Sequence, residues 1–197
     1  MSGIRRKLVL VGDDTSGKTS LAMVFVKGVD AFSELFSPTV FDYHIANVVV
    51  DGRTVELELW DTADSEEFSD RFRALTYTDT QVVLICFGID NPDSLDNVEE
   101  KWAEDVVHHC PDIPYILVGC RKDLRHEAKR IERLAKISRH PVTPEEGMAV
   151  AEKINAHRYL ECSAKMDEGV QEVFIAAARA ALLPQKSKKG NPKCIIA

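Results

Sequence analysis

One stretch near the N-terminus has the residue types and spacing of a phosphate-binding loop. Residues 12–19 read GDDTSGKT and match G-x-x-x-x-G-K-[ST], after an apolar strand-like run and before a helical segment. Gly17 lets the backbone turn so that successive N–H groups and the helix N-terminus face phosphate oxygens. Lys18 is expected to reach the β- and γ-phosphates, and Thr19 to supply a hydroxyl to Mg²⁺. The motif therefore predicts a nucleoside triphosphate with magnesium, but it does not select the base.

The segments that must position this loop alternate between strands and helices. Four runs rich in Val, Ile and Leu read RRKLVLVG, TVELELWD, QVVLICFGI and YILVGC, and the first, third and fourth are apolar almost throughout, as buried parallel strands are. Helices are predicted over 17–27, 94–109, 143–154 and 169–182. We therefore predict an α/β fold, with helices on both faces of a mostly parallel sheet that has one antiparallel edge strand.

Two local patterns and one additional segment refine this prediction. Asp51-Gly52 between two strand-like runs predicts a hairpin, and Thr143 with Glu146 has the spacing of a capping box. Residues 124–141 predict an additional amphipathic helix with Ile131, Leu134 and Ala135 on one stripe, among six Lys or Arg residues and two acids. A solvated surface helix and a partner-binding helix are equally compatible with that pattern.

Composition limits the class of protein. A chain of 197 residues with 45% apolar content suits a single domain, and it has no apolar run long enough to span a bilayer and no secretory signal. Its five cysteines form no C-x-x-C pair, which favours reduced structural thiols. The net charge of −7 hides a more acidic body, because the last fourteen residues contain four lysines and no acid. This distribution argues against nucleic-acid binding.

Four further motifs select a family. PTVFDYH (38–44), WDTA (60–63), VGCRKDL (118–124) and CSAK (162–165) occur in the order and spacing of a small GTPase. Together with VVLICFGID, DSLDNVEEKW and the basic insert before PVTPEEG, they resemble the Rho family over essentially the whole chain. The resemblance implies the P-loop small GTPase fold with a six-stranded sheet, a domain over 1–183 that carries a helical insert at about 124–141, and a flexible tail over 184–197.

The resemblance also implies roles for individual residues. Thr39 would coordinate Mg²⁺ and sense the γ-phosphate, Asp61 would hold Mg²⁺ through water together with Thr19, and Asp123 would accept hydrogen bonds from guanine. The implied GTP or GDP site consists of Gly12, Asp13, Asp14, Thr15, Ser16, Gly17, Lys18, Thr19, Ser20, Phe32, Thr39, Arg121, Asp123, Ser163, Ala164 and Lys165. Effector proteins would bind switch I, through Val40, Phe41, Asp42, Tyr43 and His44, and switch II, which contains 61–68.

The chain departs from the family at the positions that support hydrolysis. Asp14 and Asp64 stand where the family usually has Gly, and Ser65 stands where Gln would orient the attacking water. Ser65 is too short for that role, while Asp14 would crowd both the water and an activating arginine finger. Cys120 and Arg121 replace the usual Asn or Thr and Lys beside the base. These departures resemble the hydrolysis-defective Rho branch and predict a persistently GTP-bound module.

Other interpretations remain open at this point. The chain could be an ordinary cycling GTPase in which Glu66 or Glu67 orients water, or a degenerate scaffold with weak nucleotide binding. A nucleotide kinase is disfavoured, because the sequence has no arginine-rich lid and WDTA and SAK would have no role there.

The C-terminus predicts a membrane anchor. Cys194-Ile195-Ile196-Ala197 fits C-a-a-X, with a last residue that favours a farnesyl group on Cys194. The lysines upstream would supply the second signal by binding anionic lipids. We expect the protein on the cytoplasmic face of a membrane, the plasma membrane above all, with a cytosolic pool. By resemblance, its partners would include exchange factors and a guanine-nucleotide dissociation inhibitor.

Overall fold

The structure is a computed structural model that describes residues 4–34, 41–62 and 75–184. Its strands are β1 (Ile4–Val11), β2 (Phe41–Val50), β3 (Arg53–Thr62), β4 (Val82–Gly88), β5 (Tyr115–Cys120) and β6 (Arg158–Glu161). Its helices are α1 (Lys18–Lys27), α2 (Pro92–Asn97), α3 (Ala103–His109), α4 (Ala128–Ala135), α5 (Pro144–Lys153) and α6 (Val170–Ala181). A π-helical turn, Val98–Trp102, joins α2 to α3, and 3₁₀ turns lie at Val29–Glu34 and Lys122–Leu124.

All six strands form one sheet in the order β2-β3-β1-β4-β5-β6. The pairs of β1 with β3 and β4, of β4 with β5 and of β5 with β6 are parallel, whereas β2 is an antiparallel edge strand on β3. The fold class is therefore confirmed. So is the hairpin, in which Asp51 and Gly52 both have positive φ between the paired Val50 and Arg53.

The sheet is buried on both faces because its central strands are apolar on both. In β1, Leu8 and Leu10 face a core shared with α1 and α6, while Val9 and Val11 face a second core with α2, α3 and α5. Every residue of β4 is buried. This continuous burial fixes the carboxyl ends of β1, β4 and β5 side by side, and the functional loops leave from those ends.

The structure corrects two helix predictions. The segment predicted as one helix over 94–109 begins at Pro92 and contains the π-helical turn. The helix predicted over 124–141 extends only over Ala128–Ala135, because Ser138 adopts a left-handed conformation (φ 57°) and the chain leaves the helix. Of its predicted apolar stripe, only Leu134 is buried.

Two further predictions are confirmed. The capping box at Thr143 is present, with the Thr143 side chain accepting from the Glu146 backbone N–H and the Glu146 side chain accepting from the Thr143 backbone N–H. The four described cysteines are buried, and none of them forms a disulfide. No helix in the described ranges is long and apolar enough to cross a membrane.

Candidate functional site

The phosphate-binding loop lies between β1 and α1, where the motif placed it. Gly12 has φ 137°, and a Cβ there would lie 2.0 Å from the Cys86 carbonyl oxygen, so only glycine allows β1 and β4 to approach this closely. Gly17, at φ 103°, is the N-cap of α1. Lys18 is buried, and its Nζ donates to the carbonyls of Gly12 and Asp13, each at 2.7 Å. The loop therefore closes around the ammonium group of Lys18.

The Asp13 side chain anchors this loop to the helical segment across the sheet. Its carboxylate accepts from Asn97 Nδ2 and from Trp102 Nε1, each at 2.7 Å. The π-helical turn presents Trp102 at this point. Neither Asn97 nor Trp102 was predicted as a site residue, and no sequence spacing indicates them, since they lie 84 and 89 residues away along the chain.

The other predicted residues of the loop differ in exposure. Ser16 is buried, while Thr19 and Ser20 are partly buried. Asp14 and Thr15 are exposed at the top of the loop, and Thr15 has a left-handed backbone (φ 62°). Both side chains are therefore accessible to solvent.

An oxygen-rich pair lies beside Lys18, at the end of β3. Thr19 Oγ1 donates to Asp61 Oδ2 at 2.6 Å, and Asp61 is only 1% exposed. Burial raises the pKa of the Asp61 carboxyl, although the bond from Thr19 and the charge of Lys18 oppose this. Among the described residues, none donates a hydrogen bond to Asp61 Oδ1.

These groups fit a magnesium ion. A hydroxyl and a carboxylate are hard oxygen ligands, and a buried carboxylate oxygen without a donor is stabilised by a cation or its bound water. Thr19 and Asp61 would hold the ion, as predicted for these two residues. The third predicted ligand, Thr39, lies outside the described residues.

The predicted base-binding residues lie on two adjacent loops, Arg121 and Asp123 after β5 and residues 163–165 after β6. Lys122 N donates to the Cys162 carbonyl at 3.0 Å, and Cys162 N donates to the Gly119 carbonyl at 2.9 Å, which ties the two base-binding loops together. Ser163 Oγ donates to Asp123 Oδ1 at 2.6 Å. An ionised carboxylate has about four acceptor sites, so Asp123 retains capacity for a further donor group.

A cavity opens beside these side chains. It has a volume of about 550 Å³, and Asp123 and the exposed Lys165 are among the residues that line it. Ala164 is buried next to Lys165. Phe32 is half-buried against the core that contains α1 and α6, so its predicted position at the edge of the base stays a prediction.

The residues that replace the usual base-loop pair have their own contacts. Cys120 is buried, with its Sγ 4.0 Å from Cys162 Sγ. Hydrogen bonds from the Cys86 and Cys162 thiols to Cys120, together with burial, raise the pKa of both thiols. An ideal Cβ at Gly17 would lie 3.0 Å from Cys120 Cβ, so the base loop packs directly on the phosphate loop. Arg121 has a left-handed backbone (φ 60°) and an ion pair with Asp90 at 2.9 Å.

The predicted effector residues are described in part. On β2, Asp42 lies 3.3 Å from His44, and the exposed Tyr43 packs edge-on against Trp60 with ring centroids 5.8 Å apart. Phe41 begins β2. Val40, Asp64, Ser65 and Cys194 lie outside the described residues, so their predicted roles stay predictions.

A phosphate loop, a hydroxyl–carboxylate pair and the Asp123–Ser163 pair at the carboxyl edge of one sheet define a P-loop nucleotide-binding protein. Sequence comparison gives the family: a model of the Ras family matches residues 7–183. The chain belongs to the Ras family and, within it, to the Rho-type small GTPases.

Three relatives support that assignment. The chain is 55% identical to "GTP-binding protein rho1" and 57% identical to "GTP-binding protein rho5", both of Schizosaccharomyces pombe, over 98% of this chain and 98% of each relative. It is 53% identical to "GTP-binding protein RHO1" of Candida albicans, over 98% of this chain and 96% of that protein. The resemblance to the Rho family is thereby confirmed, and it supports a role in Rho-type signalling.

Proposed function

We propose that this protein is a signalling switch that binds guanine nucleotide with Mg²⁺ and hydrolyses GTP poorly, so that it persists as a GTP-bound effector-binding module. The observation that carries the binding part is the convergence of three groups at one sheet edge. These are the buried Lys18, the Thr19–Asp61 pair with its open carboxylate oxygen, and Asp123 held by Ser163. Each has the chemistry for one part of the ligand: phosphates, metal and base.

Guanine is favoured over adenine by Asp123. A carboxylate accepts hydrogen bonds, and guanine presents donors on the edge that would face it, whereas adenine presents a different pattern. Bound Mg²⁺ would neutralise part of the charge that develops on the phosphates. Lys18 would bind the β- and γ-phosphate oxygens in place of the loop carbonyls to which it now donates.

The proposed loss of turnover rests on three side chains. Ser65 cannot reach a water in line with the γ-phosphorus, and Asp14 and Asp64 add negative charge beside a polyanion. Asp14 belongs to the exposed top of the phosphate loop, where an arginine finger from an activating protein would enter. Such a finger contributes roughly 10³ to 10⁵ in rate, so its exclusion would remove most of the stimulated activity.

Single-turnover hydrolysis of bound GTP tests this proposal. We expect a rate below the ordinary intrinsic value of roughly 10⁻⁴ s⁻¹, with little response to a Rho-type activating protein. Ser65→Gln alone should restore little, whereas Asp14→Gly, Asp64→Gly and Ser65→Gln together should restore both rates, because the three sites act on one water and one phosphate. An ordinary, strongly stimulated rate in the unmodified protein, lost in Glu66→Gln or Glu67→Gln, would favour the cycling GTPase instead.

A weakly binding scaffold is the second candidate. Cys120 and Arg121 favour it, since the first packs among thiols and the second is engaged by Asp90 instead of remaining available to a base. Calorimetry with GTP, GDP and ATP separates the two candidates. Selective binding of the guanine nucleotides supports the switch, and absence of binding at micromolar protein supports the scaffold.

We further propose that effectors bind through switch I and the exposed β2 residues near Tyr43. Exchange factors and a guanine-nucleotide dissociation inhibitor would act on the same protein.

We also propose that a farnesylated Cys194, together with the tail lysines, holds the protein on the cytoplasmic face of the plasma membrane. One lipid chain binds only marginally, and each lysine near an anionic surface adds about 1 kcal/mol. In a fractionation assay, Cys194→Ser should move the protein to the cytosol. A membrane-bound Cys194→Ser protein would refute the anchor.

A further inference from the structure

The guanidinium of Arg121 lies over a glycine at the end of a neighbouring strand. Gly88 is the last residue of β4, and a Cβ built there would lie 2.1 Å from Arg121 Nη2. The three atoms nearest to that Cβ all belong to Arg121. The guanidinium of Arg121 therefore occupies the space that a side chain at position 88 would need.

A buried carboxylate forms an ion pair with the same guanidinium, although among the described residues none donates a hydrogen bond to Asp90 Oδ1. The Asp90 side chain is 2% exposed and lies 2.9 Å from Arg121 Nη2. Its other oxygen lies 3.5 Å from Nη1 of Arg130, which is on α4. A buried carboxylate needs charged or hydrogen-bonded partners. Asp90 therefore joins the loop after β5 that carries Arg121, here called the base-side loop, to α4, the insert helix, through one charge.

Further contacts keep the insert next to the nucleotide-binding loops. Arg139, which follows α4, lies 2.7 Å from Asp96 and 3.3 Å from Asp93, both on α2. A cleft of about 380 Å³ separates α4 from the phosphate loop, and Thr15 and Arg121 are among its lining residues. Arg121 Cγ would lie 3.7 Å from an ideal Cβ at Gly17, so Arg121 is next to the phosphate loop as well as the end of β4 and, through Asp90, the insert.

We propose that Arg121 is a positioning residue for the base-side loop, docked on Gly88 and paired with Asp90. Arg130 pairs with the same carboxylate and so makes the insert helix part of this support. The insert thereby sets the rate at which guanine nucleotide is released. The inference rests on the proposed binding of guanine nucleotide beside this loop. It assigns the insert a role within the chain itself: a partner that pulls α4 away from Asp90 would loosen the base-side loop and accelerate release.

The docking on Gly88 is tested by a double-mutant cycle with Arg121→Lys. Gly88→Ala should raise the release rate of a fluorescent GDP derivative roughly tenfold, since overpacking against the guanidinium displaces it. Lysine has no forked head, so the same Gly88→Ala change made in the Arg121→Lys protein should alter release by less than about twofold. An equal effect of Gly88→Ala in both backgrounds would overturn the docking.

The role of the insert is tested by two matched arginine variants on α4. Arg130→Ala removes the contact with Asp90 and should accelerate release by about threefold to tenfold. Arg133→Ala removes the same charge from the same helix, and within the described ranges Arg133 forms no ion pair. Equal release rates for the two variants would overturn the link between insert and nucleotide.

Urea unfolding in the absence of nucleotide separates this inference from the proposed function. The Gly88 and Arg121 substitutions should be non-additive in unfolding free energy whether or not nucleotide binds. If the protein retains no fluorescent GDP, the proposed function fails and the control of release fails with it, while non-additive unfolding would still support the docking. Additive unfolding effects would overturn the docking even where nucleotide binding is normal.

Discussion

The two ends of the candidate site are built differently. The phosphate end uses one contiguous loop and one neighbouring strand, with Lys18 bonded to the backbone of its own loop and Thr19 bonded to Asp61. The base end is assembled from two separate loops, which are joined by backbone hydrogen bonds and also by side-chain contacts, Ser163 with Asp123 and Asp90 with Arg121. A side-chain contact depends on the types of both residues, so a change at one partner of the base end favours a matching change at the other.

The chain departs from its family at both ends, but the departures differ in kind. At the phosphate end, the lysine, the hydroxyl and the carboxylate keep the residue types that the motif requires, and the departures Asp14, Asp64 and Ser65 affect the residues expected to support hydrolysis. At the base end, Cys120 and Arg121 differ, and each has acquired a local environment that suits it. Cys120 packs in a cluster of buried thiols, and Arg121 has the space left by Gly88 and the charge of Asp90. Substitution at this end thus changes the support of the pocket while Asp123 remains.

The largest effect is expected from Asp61→Asn at the phosphate end. Loss of the metal-binding charge should weaken GTP binding in Mg²⁺ by roughly 100-fold, about 3 kcal/mol, as measured by calorimetry. Asp51→Asn, which alters an exposed acid of the hairpin, should leave affinity unchanged. If GTP bound the unmodified protein equally well in Mg²⁺ and in EDTA, the metal site would be wrong.

The same variant should stabilise the protein when nucleotide and metal are removed. Burial raises the pKa of Asp61, so ionisation of the folded protein costs stability as pH rises through that raised pKa, and asparagine avoids this cost. At neutral pH, we expect the midpoint of thermal unfolding to rise by about 2–4 °C. The gain should disappear below the ordinary carboxyl pKa of 3.8, where both folded and unfolded chains are protonated.

A smaller effect is expected from Asp123→Asn at the base end. The asparagine oxygen can still accept from Ser163, so the loop should persist while guanine loses a charged acceptor. GTP affinity should fall by roughly 10-fold to 100-fold, and ATP affinity should stay as it was. Asp167→Asn is the matched control, because Asp167 is exposed in the neighbouring loop at φ 51°, a conformation that asparagine tolerates. Undiminished selectivity for GTP in Asp123→Asn would show that another group reads the base.

The smallest effect is expected in the scaffold behind the base loop. Arg125 donates to both oxygens of Glu161, at 2.8 and 2.6 Å, and the Tyr159 hydroxyl donates to Glu161 at 2.6 Å. Burial would raise the pKa of Glu161, but these hydrogen bonds outweigh it and hold the pKa below its usual value. Glu161→Gln should therefore cost about 1 kcal/mol in urea unfolding at neutral pH.

The pH dependence of that cost provides the check. A depressed carboxyl pKa contributes stability above the unfolded value of 4.5, and this contribution is lost as pH falls through the folded pKa. The difference in unfolding free energy between the unmodified protein and Glu161→Gln should thus become smaller below pH 4.5. Glu152→Gln, an exposed change on α5, serves as the control. An unfolding free-energy difference that does not depend on pH would contradict the stabilising role of the Glu161 charge.

The sequence predicts features that depend on neighbouring residues. The phosphate loop is eight consecutive residues, the hairpin depends on Asp51-Gly52, and the capping box depends on residues three apart, so each follows from local chemistry. The apolar strands likewise predict a sheet buried on both faces, and from that the edge at which the loops meet.

Features that arise from tertiary packing were not predicted. The contacts of Asp13 with Asn97 and Trp102 span 84 and 89 residues, and the π-helical turn that presents Trp102 leaves no mark on the apolar pattern. The insert helix ends earlier than its amphipathic pattern indicates, because Ser138 adopts a left-handed conformation that the pattern does not predict. Nor could the space at Gly88 be inferred without the position of Arg121.

We propose that the phosphate end retains GTP while the substituted residues around it prevent turnover. The most direct test of this proposal is the identity and stoichiometry of the nucleotide released by denaturing the freshly purified protein, separated by ion-pair chromatography. We predict stoichiometric GTP in the unmodified protein and GDP in the Asp14→Gly, Asp64→Gly, Ser65→Gln protein. Stoichiometric GDP in the unmodified protein would show that hydrolysis proceeds, and absence of nucleotide would show that the phosphate end does not hold its ligand.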